Sequence, residues 1–245
     1  PRHTELSQAA IETFARGFVT GYFDVVSAML SKPAPNAVAS VKPCAAGELG
    51  AYLEKFNGLM RAQIETGGAV AFLLSGADAN AIVAGALGEE PASDVSIAGR
   101  DPATLREVFE PCLGGGASYF KEKYGKILAL KNTEALACGP DIAAGLHQFL
   151  GADGSAAEFS FSLGDGHDAA GVFFFSNVLA NVVPQEALTQ GGSPVAGTMS
   201  QEEVSAMLSG LGPNADMESG IAPPPQPALR AEPGGDSKNL DMVLD

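Results

Sequence analysis

The sequence predicts an α/β (α+β) fold: two like halves, each with a long helix ahead of strands, sharing one sheet and followed by a disordered linker that carries one short amphipathic helix. Three observations lead there. Apolar residues recur at threes and fours over two long stretches, one near the N-terminus and one after Asp101. Two dense apolar runs, at 69–75 and 171–175, suit strands buried on both faces. Residues of the first half also reappear about a hundred positions later.

In chain order, Thr4 or Ser7 is placed to cap a helix reaching Leu30. Its face of Leu6, Ala10, Phe14, Phe18, Tyr22, Val25 and Met29 is the expected core contact. Pro33-Ala34-Pro35-Asn36 ends it, and strands follow at 37–43, 59–64 and, after the Thr66-Gly67-Gly68 turn, 69–75. An alanine-rich helix over 77–87 closes at Gly88, and 88–100 reads as a loop. Asp101 then caps a second long helix with Pro102 at its first position, where a missing N–H costs nothing, running to about Lys123. Strands at 127–138, 156–163 and 171–175 complete the second half, with a turn at Gly164-Asp165-Gly166 and a closing helix that begins over 178–183.

Gly17 and Gly114 lie 97 residues apart, as do Tyr22-Phe23 and Tyr119-Phe120, and Pro43 and Pro140. Phe72-Leu73-Leu74-Ser75 matches Phe173-Phe174-Phe175-Ser176 at 101, and Asn80 matches Asn181 at that spacing. Such a period is too long for a solenoid repeat. It predicts a pseudo-twofold domain over residues 1–184, with repeats at about 1–90 and 101–184.

The rest of the chain is of another kind. Residues 185–238 read as a flexible linker, loose at Thr189-Gln190-Gly191-Gly192-Ser193-Pro194 and stiffened by Pro223-Pro224-Pro225-Gln226-Pro227. Within it, Ser200 and Glu203 form a capping box, and Glu202 and Glu203 place negative charge at the positive end of a helix over 200–210. Val204, Met207, Leu208 and Leu211 form one apolar stripe, and Gly210 stops the helix. Three turns alone are marginal in water, so this stripe is expected to dock on a partner.

The net charge of −15 argues against a nucleic-acid partner, which needs Lys and Arg against phosphate. Three cysteines without paired spacing fit a reducing cytoplasm. No apolar run reaches membrane-spanning length, so direct membrane insertion is not expected. The chain starts at Pro1 without Met and stops at Asp245 within what reads as the opening of an element, as expected of a fragment.

Ser200-Gln201-Glu202-Glu203-Val204-Ser205-Ala206-Met207-Leu208-Ser209-Gly210 resembles the Ser-Gln-Asp-Glu-Ile-Asp-Ala-Leu-Leu-Ser-Gly segment of the flagellar motor switch proteins FliM and FliY. That segment captures the phosphorylated response regulator CheY. The duplicated architecture resembles the CheC/CheX/FliY phosphatase-like fold shared by the FliM middle domain. Asn239-Leu240-Asp241-Met242-Val243-Leu244-Asp245 resembles the Asn-Leu-Asp-Leu-Ile-Leu-Asp opening of the FliN C-terminal domain, so 239–245 would be its truncated start. The resemblance implies a FliN/FliY-type switch protein in the cytoplasm at the flagellar basal body. It would be a non-enzymatic adaptor needing no cofactor, with FliM-, FliG- or FliN-like ring proteins and phosphorylated CheY as partners. Glu202, Glu203, Val204, Met207, Leu208 and Leu211 would then bind the regulator, although here the peptide follows the phosphatase-like domain, whereas in FliY it commonly precedes it.

Active members of that fold carry Ser or Asp, three residues, Glu, two residues, then an Asn that orients the water attacking the aspartyl phosphate. Anchored on Gly17, the first helix offers Gln8, Glu12 and Ala15. Anchored on Gly114, the second offers Leu105, Phe109 and Cys112; moved two residues back, it offers Ala103, Glu107 and Glu110. Neither alanine, cysteine nor an ionised carboxylate donates the amide hydrogen bond that holds the water. Both helices are therefore expected to be silent, with Glu12, Glu107 and Glu110 on solvated faces. The alternative is a CheC-like phosphatase acting on phosphorylated CheY through Glu12 or Glu107. His3, His147 and His167 lack metal-site spacing, and Gly114-Gly115-Gly116 lacks the Gly-Lys-Ser/Thr of a phosphate loop and reads as a helix-packing site. Cys112 reads as a buried structural thiol, and Asp165 and Asp168 as turn residues.

Overall fold

A computed structural model describes residues 7–89, 97–164 and 167–189. All lie in the first of two units into which the chain divides, Pro1–Gly192; the segments read at 200–211 and 239–245 lie outside the described residues. In order, the elements are α1 Gln8–Leu30, β1 Asn36–Pro43, α2 Ala46–Lys55, β2 Gly58–Ile64, β3 Ala69–Leu74, α3 Gly76–Leu87, α4 Pro102–Tyr124, β4 Leu130–Ala137, α5 Ala143–Leu150, β5 Gly154–Ser162, β6 Asp168–Ser176 and α6 Gln185–Thr189. Short 3-10 turns cover Ile97–Gly99, Pro140–Ile142 and Asn177–Val182.

The two long helices begin and end for identifiable reasons. Ser7 Oγ accepts from the Ala10 N–H at 3.2 Å, and Asp101 Oδ1 accepts from the Ala103 N–H at 3.3 Å. Ser31 (φ 51°) and Gly125 (φ 66°) end them in left-handed geometry.

The six strands form one antiparallel sheet in the order β1-β5-β6-β3-β2-β4. The β3–β6 pair is at the centre, and Phe72 faces Phe173 across it. Alternation sends Val70, Phe72 and Leu74 of β3 and Phe173 and Phe175 of β6 into the layer covered by α1 and α4. Ala69, Ala71, Leu73, Val172 and Phe174 enter the opposite layer, where Leu49 and Leu53 of α2 and Leu146 and Leu150 of α5 cover them. Cover on both faces is why these runs are unbroken in the sequence.

The larger layer is aromatic. Phe14 stacks on Phe120 at 4.8 Å, Phe18 on Phe173 at 4.9 Å and Tyr22 on Phe72 at 4.1 Å. Each fully buried ring contributes about 1.5–3 kcal/mol from surface removed from water.

The pseudo-twofold is present, but part of its register differs from the one read in the sequence. α1 and α4 each have 23 residues, β1 and β4 each have eight, and all four helix caps and strand ends correspond at 94 residues, not 97. The helix crossing agrees: a Cβ built on Gly115 meets Val25, and one on Gly21 meets Tyr119, contacts that exchange under a 94-residue shift. The Tyr-Phe match at 97 is thus a local likeness, almost one helical turn out of register. Cys44 and Cys138, just past β1 and β4, are the equivalent pair there, and Pro140 is not the counterpart of Pro43. The 101-residue spacing at the centre holds, since Phe72 and Phe173 are direct partners.

Candidate functional site

The corrected register changes which residues can share a site on the paired helices. Gln8, Glu12 and Ala15 of α1 correspond to Pro102, Arg106 and Phe109 of α4. Charge is inverted one turn apart: Glu12 and Arg16 stand where α4 has Arg106 and Glu110.

Each candidate side chain has a definite place. Gln8 is exposed, and its Nε2 donates to Glu12 Oε1 at 3.1 Å and to the Val41 carbonyl of β1 at 3.3 Å. Its amide hydrogens therefore serve the helix–strand junction. Glu12 is half-buried beside it, and Ala15 is fully buried. On α4, Leu105, Phe109 and Cys112 are all core residues, so the frame anchored on Gly114 points into the protein and reaches no substrate. Ala103, Glu107 and Glu110 are exposed, and Glu110 Oε2 lies 3.4 Å from Arg106 Nε one turn away. Neither α1 nor α4 contains an Asn. Among the described residues, neither α1 nor α4 sets an Asn amide beside a carboxylate to hold a water in line with a phosphorus, and the Gln8 amide that does meet Glu12 is shared with the Val41 carbonyl.

Other polar groups prove structural. Asn80 is buried, and its Oδ1 accepts from Arg100 Nε at 2.9 Å, while Arg100 also pairs with Glu89 at 2.7 Å. His167 Nε2 lies 2.7 Å from Asp78 Oδ1, a partner 89 residues away that local sequence could not show; Asp78 also accepts from Ser75 Oγ at 2.6 Å. This ties the β5–β6 turn to the start of α3. Burial pushes the Cys112 thiol up to about 12 and those of Cys44 and Cys138 up to about 11, so none is a thiolate nucleophile near neutrality. Among the described residues no cluster of His, Cys, Asp and Glu could hold a metal ion, and no helix is long and apolar enough to cross a membrane.

Gly115 and Gly116 do pack the helices: Cβ atoms there would meet the Gly21 carbonyl and the Phe18 ring. Gly114 has open space instead. It borders a groove of about 330 Å³ between α4 and residues 127–130.

In solved structures the fold recurs in FliY from Thermotoga maritima, with a TM-score of 0.61 at 11% identity over 77% of this chain and 100% of that one. It recurs also in FliM, solved in the FliG–FliM complex from H. pylori, with a TM-score of 0.52 at 10% identity over 73% of this chain and 100% of that one. At these identities the likeness is one of fold alone: the chain has the fold seen in FliY and FliM. No family model and no curated protein matches the chain in sequence.

Proposed function

We propose that the chain is a non-enzymatic component of a flagellar switch, linking chemotactic signalling to the motor as a scaffold. One observation carries the reading: a domain spanning the whole of a FliY chain in fold has long helices with core residues, a charge pair and a committed Gln8 amide where hydrolysis needs a water-holding amide. The FliM neighbour was solved bound to FliG, which supports other switch proteins as partners. Residues 1–184, closed by α6 at Gln185–Thr189, would form the scaffold, the rest of the stretch to 238 the tether and 239–245 the start of a FliN-like domain at the cytoplasmic side of the basal body.

Signalling would run through the tethered stripe. Val204, Met207, Leu208 and Leu211 would enter a groove on the response regulator, while Glu202 and Glu203 would set orientation and on-rate more than affinity. A labelled peptide spanning 198–212, titrated against CheY in both phosphorylation states, tests this. Tighter binding to the phosphorylated form supports the signalling contact; absence of binding leaves a structural ring role. The phosphatase alternative rests on Glu12, the half-buried carboxylate of α1, and predicts CheY dephosphorylation that is lost in Glu12→Ala.

A further inference from the structure

The two halves differ at corresponding positions on and just after their long helices. Under the 94-residue register, Phe23 of α1 corresponds to Ala117 of α4, Arg16 to Glu110 and Pro33 to Ile127. In the first half, Phe23 is fully buried against Phe161 at 4.7 Å, and Arg16 reaches over the sheet edge to the Val38 carbonyl at 3.1 Å. In the second half a methyl group replaces the ring, and Glu110 turns instead to Arg106. What remains is the groove lined by Gly114, Ala117, Ser118, Lys121, Ile127 and Leu130, with Ile127 left 69% exposed.

Its charge is also local. Lys121, Lys123, Lys126 and Lys131 fall within eleven residues that hold a single acid, Glu122, a local excess of positive charge in a chain whose net charge is −15. Lys123 is engaged with Tyr119, whereas among the described residues Lys121 and Lys126 have no carboxylate partner. The lining positions on α4 run from Glu110 to Lys121, about 17 Å at 1.5 Å per residue, or three helical turns.

We infer that this groove is a docking surface for an acidic amphipathic helix of a partner protein. One bulky apolar side chain would fill the space that Phe23 fills in the other half, and carboxylates would face Lys121 and Lys126. Complementarity of charge fixes the direction, with the acidic end of the partner helix toward the C-terminus of α4 and away from Glu110.

The test uses the full chain and a fluorescein-labelled probe, acetyl-Ala-Glu-Glu-Leu-Phe-Ala-Glu-Leu-Leu-Glu-Ala-Leu-amide, read by anisotropy. The proposal expects saturable binding that weakens with salt, and none to a probe with every Glu replaced by Lys. Ala117→Phe, which fills the groove, and Ile127→Ser should each weaken binding by about tenfold or more, the usual consequence of losing a central anchor. Lys121→Glu should weaken it and reduce its salt dependence. Should Ala117→Phe fail to fold, Ile127→Ser decides, because its site is already largely in water. No binding by the wild-type chain, equal binding of the Lys probe, or unchanged affinity in Ile127→Ser would overturn the assignment.

Discussion

Gly21 and Gly115 meet where the two long helices cross: a Cβ on Gly21 would fall 2.5 Å from the Gly115 carbonyl oxygen, and one on Gly115 would strike the Gly21 carbonyl in return. The contact is reciprocal because the pseudo-twofold axis passes through it. It is also backbone on backbone, so no side chain can rotate away.

Gly21→Ala and Gly115→Ala should therefore each destabilise the fold by about 1–3 kcal/mol, as overpacking does, despite the better helix propensity of alanine. Gly114→Ala, one residue away in open space, should stabilise by about 0.5–1 kcal/mol. Urea denaturation of the three variants checks both signs. Equal effects at Gly114 and Gly115 would contradict the crossing geometry.

Tyr22 offers a second test of the core. Its ring is fully buried on Phe72, its hydroxyl has no hydrogen-bond partner among the described residues, and burial holds its ionisation well above the ordinary range. A buried hydroxyl without a partner costs about 1–3 kcal/mol. Tyr22→Phe should thus match or exceed wild-type stability, by up to about 1 kcal/mol in chemical denaturation, whereas a clear loss would reveal a partner for the hydroxyl.

On the other face of the sheet, Tyr52 donates to Glu158 Oε1 at 2.7 Å, with Lys42 3.5 Å away. The Tyr52 hydrogen bond, then Lys42, holds the Glu158 carboxyl below its ordinary value of 4.5. A lowered folded value means that the contribution is present above pH 4.5 and is lost as pH falls through the folded value. Because Glu158 is half exposed, the effect should stay below about 1 kcal/mol. Tyr52→Phe should move the Glu158 titration upward in a carbon-detected NMR experiment and flatten stability between pH 5 and 3. No movement would mean that the hydrogen bond does not form in solution.

Strongly patterned elements were legible in the sequence, and weakly patterned ones were not. Both long helices carried their caps and stripes openly, and β3 and β6 announced two-sided burial. α2 and α5 were missed: Ala45 and Ile142 precede them without a side-chain cap, and Gly47, Gly50 and Gly145 dilute their propensity. The signal was Leu49, Leu53 and Phe56 at helical spacing, and Leu146 with Leu150. The segment expected to begin a closing helix is a 3-10 turn, Asn177–Val182, and the short helix α6 starts only after Pro184, at Gln185. The Gly, Tyr-Phe and Pro matches at 97 residues are local likenesses, whereas the caps Ser7 and Asp101, and Cys44 and Cys138, carry the true spacing of 94. At the site, the two-residue displacement of the second motif found exposed carboxylates, whereas the Gly114 anchor led into the core. The groove was invisible because it arises from Ala117 lacking what Phe23 supplies, a comparison that needs the true register.

The most direct test of the central claim is phosphate release from phosphorylated CheY in the presence of the full chain. A scaffold without a water-positioning amide predicts the rate of CheY alone, unchanged by Glu12→Ala or Glu107→Ala. Acceleration by the wild-type chain that disappears in Glu12→Ala would contradict it.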